Sequence, residues 1–325
     1  MKSRKTLKNL LAILIILVVL LAICEASIRV YLHYNTVYDI EMTRYAMSVK
    51  EDSENPKIGH VHKPGSNMEL MDVNVSINSD GLRDRDYPIE RGDAYRIIFL
   101  GDSLTFGWGV EQEYTFQYLL EEEIGKTAPT EIINFGTGNY NTEQEVSMFF
   151  EKGVKYDPDK VVLFYFINDA EATPKKSGLW FLGYSYLISF YWSRINSLIN
   201  NILVSRSFKD YYTALYMDDQ EGWINSQKAM LELRDYCLEN AIAFQVVLLP
   251  ELHDTNNLIF GEVYNKISLF LQQNGIEYMN LAKLFSDHGD QMELWVSYDD
   301  AHPNKLAHGK IAETLVEFIS EKETK

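Results

Sequence analysis

The chain has 325 residues, 46% of them hydrophobic, and 47 acidic side chains against 30 Lys and Arg give a formal net charge of -17. That length allows one large domain or two small ones with a sizeable buried core. The acidic balance repels a phosphate backbone and anionic lipid alike, so a nucleic-acid partner is set aside and charge alone does not hold the chain to a membrane.

Lys2, Arg4, Lys5 and Lys8 precede an uncharged run at residues 10–24. As a helix that run is about 22 Å long, short of a ~30 Å hydrocarbon core. Lys8 can snorkel at one end, and Ala26, Ile28 and Val30 extend the apolar surface at the other. A cleaved signal peptide matches less well: cleavage after Ala26 puts Cys24 at the -3 position, and Ile23 is too bulky to precede a lipoprotein cysteine. Residues 1–34 therefore read as a retained single-pass anchor, N-terminus cytoplasmic and the rest of the chain outside.

Residues 35–93 are rich in Asp, Asn, Glu and Lys and are punctuated by Pro56, Pro64 and Pro88. They read as a stalk and an irregular segment, with one short edge strand at 73–78 and a turn at Ser79-Asp80-Gly81. From residue 94 the pattern changes. Apolar runs at 96–100 (RIIFL), 131–134 (EIIN), 160–166 (KVVLFYF), 242–249 (IAFQVVLL) and 277–280 predict strands. Helical spacing fills 115–124, 142–153, 223–239, 263–273 and 304–319. Alternation of this kind predicts a three-layer α/β/α domain over 94–325, with a parallel sheet in a flavodoxin-like arrangement and its ligand at the carboxyl edge. Residues 180–204 interrupt the alternation. A second span there would return the C-terminal half to the cytoplasm, so the stretch reads as a helical insertion. It could wall the site, lie on a bilayer or pack on the core.

Chemistry-bearing residues follow the strands. Gly101-Asp102-Ser103-Leu104 places a serine at the tip of the first, and a serine hydroxyl needs a base within reach to act as nucleophile. Asp299-Asp300-Ala301-His302-Pro303-Asn304 stands before the last helix; Asp299 and His302, three apart on one turn, can pair so that the carboxylate orients the imidazole. Asn168, after the third strand, can donate to an oxyanion or merely cap a turn. The loop at 134–142 (NFGTGNYNT) can aim a backbone N–H at the same place or serve only as a crossover. Cys24 and Cys237 form no C-x-x-C, and the histidines show no H-E-x-x-H spacing, so no zinc site is expected.

In this order the four motifs resemble the SGNH/GDSL hydrolase family. The resemblance implies acyl transfer with no cofactor and no metal. Ser103 would be the nucleophile, His302 its base and Asp299 the orienting acid. The Ser103 N–H, the Asn139 N–H and the Asn168 amide would form the oxyanion hole. Two positions depart from the family pattern. Phe166 stands where the asparagine block usually has glycine. Asn139 aligns with the oxyanion glycine, with Gly138 as the alternative if the register shifts by one. Asn tolerates left-handed backbone better than most residues. The segment at 77–84 (INSDGLRD) is similar to one that precedes the catalytic domain in membrane-anchored bacterial members. Such members act on acyl groups of extracellular polymers. The expected activity is therefore a serine esterase on O-acyl groups of an extracytoplasmic glycan. An O-acyltransferase, a lipid-ester hydrolase and a non-catalytic glycan-binding or assembly component are the alternatives.

Overall fold

A computed structural model describes residues 2–173, 185–203 and 207–320. The chain divides into two compact units, Met1–Met47 with Gly178–Ser205, and Ser48–Ser177 with Arg206–Lys325. Residues 180–184 and 204 of the expected insertion lie outside the described residues.

In the first unit, α1 (Lys2–Tyr34) continues well past the uncharged run, because no Gly or Pro breaks it. Its 33 residues span about 50 Å. The most apolar window within Thr6–Tyr34 has a mean hydropathy of 3.0 and none of it is buried. By length and composition the helix can cross a membrane. A shorter helix, α2 (Tyr38–Ser48), follows.

The stretch expected to be irregular is more ordered than its composition shows. Antiparallel hairpins form from β1 (Lys50–Asp52) with β2 (His60–His62), and from β3 (Asn67–Leu70) with β4 (Val73–Ser76). Ile58, Leu82 and Tyr87 are buried in the same core as the central sheet. These apolar residues are isolated in sequence, so no periodicity announces them.

The alternating region then runs β5 (Tyr95–Leu100), the short α3 (Ser103–Phe106), α4 (Phe116–Gly125), β6 (Thr130–Asn134), α5 (Thr142–Met148) and β7 (Lys160–Tyr165). It continues as α6 (Tyr186–Leu203), α7 (Phe208–Leu215), α8 (Glu221–Glu239), β8 (Ala243–Leu248), α9 (Gly261–Gln273) and β9 (Glu277–Asn280). A small hairpin of β10 (Trp295–Ser297) and β11 (Asp300–Pro303) precedes α10 (Lys305–Ser320).

Five parallel strands lie in the order β6-β5-β7-β8-β9. This is a doubly wound, flavodoxin-like sheet, and its direction of winding reverses between β5 and β7. Every residue of β7 is buried, as a strand covered on both faces requires. Side-chain alternation divides the core. Ile98, Leu100, Val161 and Leu163 face α5, α8 and α9 on one side; Ile97, Phe99, Val162 and Phe164 face α4 and α10 on the other. Each such side chain contributes roughly 1.5–3 kcal/mol by burial. The expected three-layer α/β/α domain is what the structure shows.

The insertion helix α6 is fastened within its own unit. The Glu25 carboxylate of α1 accepts hydrogen bonds from Ser185 Oγ (2.7 Å), Tyr186 N (3.2 Å) and Leu187 N (2.9 Å). It thereby satisfies donors that a helix start leaves unpaired. Arg29 pairs with Glu25 and lies over the Tyr186 ring.

Candidate active site

The sheet reverses its winding where β5 and β7 end, and chemistry-bearing residues follow both. After β5 the chain turns into α3 with Asp102 as its N-cap; Asp102 Oδ1 accepts from Leu104 N at 2.8 Å. Ser103 opens the helix, only 7% exposed, so its N–H has no acceptor within α3. The turn is clamped from behind by Arg83. That fully buried guanidinium donates to the carbonyls of Phe106 (3.1 Å), Gly107 (2.5 Å) and Val110 (2.6 Å). Nearby, Asp84 accepts from Asn134 N at 2.9 Å, and burial pushes its carboxyl up to about 7. Residues 77–84 thus brace the turn that carries Ser103 and the end of β6. Gly136 completes the brace: a Cβ there would stand 2.2 Å from Phe106 N, so only glycine lets the loop approach α3.

From the other side β11 brings His302. Its Nε2 lies 2.8 Å from Ser103 Oγ, although the two residues are 199 positions apart. Its Nδ1 lies 2.5 Å from Asp300 Oδ1, which also accepts the His302 backbone N–H at 3.1 Å. A carboxylate only accepts, so Nδ1 carries the proton and Nε2 is left to accept from the serine hydroxyl. The second oxygen of Asp300 accepts from Trp108 Nε1 at 2.8 Å. Burial alone would raise the Asp300 carboxyl, but the bonds from His302 and Trp108 hold it below its ordinary value.

The carboxylate that meets His302 Nδ1 is Asp300, where the sequence expectation named Asp299. Asp299 is exposed, and its carboxylate accepts from Ser297 Oγ at 2.7 Å. The expectation rested on a helical turn, where residues three apart meet. The chain here is extended, and in a strand residues two apart share a face. Asp300 and His302 meet that rule, and Asp299 precedes the strand.

Asn139 and Asn168 both stand at the expected loops. Asn139 has φ +67° and occupies the third place of a turn closed by Tyr140 N to Thr137 O at 3.2 Å. That is the pattern of a type II turn, which demands Gly or Asn there. Gly138 shows no positive φ. The Asn139 side chain also has a partner: Lys50 Nζ donates to its Oδ1 at 2.8 Å and to Gly138 O at 2.6 Å. His60 Nε2 lies 3.1 Å from the same carbonyl. The β1–β2 hairpin thus fastens this loop, and burial pushes the Lys50 ammonium down to about 7. Asn168 Nδ2 donates to Asp102 Oδ2 at 2.9 Å, which ties the end of β7 to the turn before Ser103 and leaves one amide N–H of the pair. Behind it, Asp169 and Glu145 form a fully buried pair. Burial and the facing carboxyl groups push both well above the ordinary range.

Sequence reading missed Asp300, Trp108, Arg83 and Lys50 as supports of the site. Period-two alternation across 300–303 would have selected Asp300. Nothing local marks the other three, whose partners named above lie 23 to 192 residues away.

A model of the GDSL-like lipase/acylhydrolase family matches residues 99–310, well over half the chain. No curated protein matches. Solved structures that do include an acetyl xylan esterase, AlAXEase, at 16% identity and TM-score 0.43, covering 69% of this chain and 99% of that one. A catalytic mutant of Axe2, an acetylxylan esterase from Geobacillus stearothermophilus, matches at 11% identity and TM-score 0.47, covering 71% and 97%. A lipase/acylhydrolase from Enterococcus faecalis matches at 13% and 0.44, covering 69% and 95%. None of these likenesses bears on substrate. The family match over residues 99–310 does bear on chemistry: the chain belongs to the GDSL-like lipase/acylhydrolase family and is an ester-bond hydrolase.

Proposed function

We propose that the protein is a serine esterase that removes O-acyl groups from a glycan outside the cytoplasm, through an acyl-Ser103 intermediate. The observation that carries this reading is the 2.8 Å contact between Ser103 Oγ and His302 Nε2, with Nδ1 held by Asp300. Ser103 Oγ attacks the ester carbonyl as its proton passes to His302 Nε2. Asp300, kept ionised by its two donors, stabilises the resulting imidazolium. The Ser103 N–H, the Asn139 N–H and the remaining Asn168 Nδ2–H would receive the developing oxyanion. His302 returns the proton to the leaving alcohol. Water then enters by the reverse path, giving the free acid and restoring the serine.

The location is supported by α1 and by the basic cluster before its apolar run, which favours a cytoplasmic N-terminus. A tethered enzyme facing outward meets polymers rather than cytosolic metabolites. Ser103→Ala is expected to lower turnover of a small activated ester by ~10³-fold or more while the melting temperature holds. Activity within a few-fold of the parent would sink the assignment. A reporter fused after residue 325 should be active only if exported, and a cytoplasmic readout would overturn the glycan reading.

A further inference from the structure

A second carboxylate–histidine pair stands at the same edge of the sheet. Glu251-Leu252-His253 follows β8, and it repeats the local geometry of Asp300-Ala301-His302. Glu251 Oε1 accepts the His253 backbone N–H at 3.0 Å and contacts His253 Nδ1. Glu251 is 7% exposed, whereas the His253 side chain is 47% exposed. His253 Nε2 has no hydrogen-bond partner among the described residues.

Two aromatic rings flank that imidazole. Phe208 of α7 lies 4.7 Å away, centroid to centroid, and is 44% exposed. Trp295 of β10 lies 5.3 Å away. Trp295 joins this cluster to the catalytic hairpin. Its Nε1 donates to Leu252 O at 3.0 Å, and its backbone pairs with Pro303, the residue after His302. The Asp300 carboxylate is near enough to act electrostatically on His253.

We propose that Phe208, His253 and Trp295 form a subsite for the sugar ring that carries the ester, with His253 Nε2 hydrogen-bonding a ring hydroxyl. The inference rests on the esterase reading and names where its alcohol half binds. A sugar ring offers C–H faces to aromatic rings and hydroxyls to a single placed polar group, and this cluster supplies both. An acyl chain would bury His253 Nε2 against alkyl groups and leave it unpaired, which is unfavourable. Glu251 holds the imidazole in one orientation, as Asp300 does for His302, so little ordering is left for the ligand to impose.

The test uses the full-length chain with Ser103→Ala, so that binding is read without turnover. Xylotetraose, mannotetraose and chitotetraose are titrated by calorimetry. At least one should bind saturably, and adding His253→Ala or Phe208→Ala should weaken it about tenfold. His253→Gln, which keeps a donor, and Phe208→Trp, which keeps a ring, should recover most of the loss. In the Ser103 parent, the ratio of kcat/KM for partially acetylated xylotetraose to that for 4-nitrophenyl acetate should fall about tenfold in His253→Ala, through KM. Absence of saturable binding by all three oligosaccharides would overturn the subsite, as would equal binding by parent and His253→Ala. A Phe208→Ala loss confined to 4-nitrophenyl decanoate would also overturn it, assigning the shelf to an acyl chain. Saturable binding lost in His253→Ala, with no ester hydrolysis by the wild-type chain, would support the subsite while overturning the esterase reading.

Discussion

Asp300–His302 and Glu251–His253 are built by one local rule and differ in what surrounds them. In each, a carboxylate two residues before the histidine accepts both its backbone N–H and its Nδ1. The Asp300 side chain is 2% exposed and that of His302 16%, with Nε2 on a serine. The His253 side chain is 47% exposed, with Nε2 open. A carboxylate-x-histidine unit therefore orients an imidazole but does not assign it a task. The task comes from what faces Nε2: a helix-borne hydroxyl at the sheet's switch point in one case, solvent and two aromatic rings in the other.

The largest effect should separate the two adjacent aspartates. Asp300→Asn is expected to lower turnover of a small ester by about 10⁴-fold, since the wrong imidazole tautomer is then favoured. Asp299→Asn should stay within a few-fold. The reverse ranking would show that the strand geometry of β11 is not the working one. Next, Asn168→Ala should cost ~10²–10³ in turnover with little change in KM, because its donor acts on charge that develops in the transition state. Equal effects on both constants would move Asn168 to a ground-state role.

Trp108→Phe keeps the ring and removes the donor to Asp300; turnover should fall about tenfold, the order of one buried hydrogen bond. The Glu145–Asp169 pair sharpens the comparison from another side, because there a carboxyl faces a carboxyl and no histidine intervenes. Its folded pKa values are raised, so the stability it contributes is fully present below about pH 4.5 and is lost as pH rises. Glu145→Gln should flatten the fall of folding free energy above that pH by about 1.4 kcal/mol per pH unit. Parallel curves for parent and variant, from urea melts across pH, would contradict the raised titration of the pair. Asn139→Gly should show the smallest effect, a loss of a few-fold, since glycine reaches the same backbone region and only the Lys50 tie goes. A ~100-fold loss would mean that the Asn139 side chain is itself the donor.

The sheet was legible because its strands are continuous apolar runs; residues 96–100, 160–166 and 242–249 each fall on an observed strand within a residue or so. Ser103 and Asn168 were legible because each follows such a strand. Asp300 was not, since residues 300–303 read as a turn and a one-residue change of conformation exchanges the two aspartates. Residues 35–93 were read as a stalk and an irregular segment because the order within them comes from long-range partners. Arg83 holds the turn after Ser103 and Lys50 holds the loop at Gly138, and no window of local sequence contains both ends of such a contact. The same holds for Phe208, His253 and Trp295, which three separate segments bring together.

The most direct test of the central claim is labelling of the full-length protein with a fluorophosphonate, the adduct being mapped by mass spectrometry and its rate followed in variants. A single adduct on Ser103 is predicted, formed far more slowly in His302→Gln and Asp300→Asn than in Asp299→Asn. No adduct, an adduct on another serine, or slowing in Asp299→Asn rather than Asp300→Asn would contradict the account.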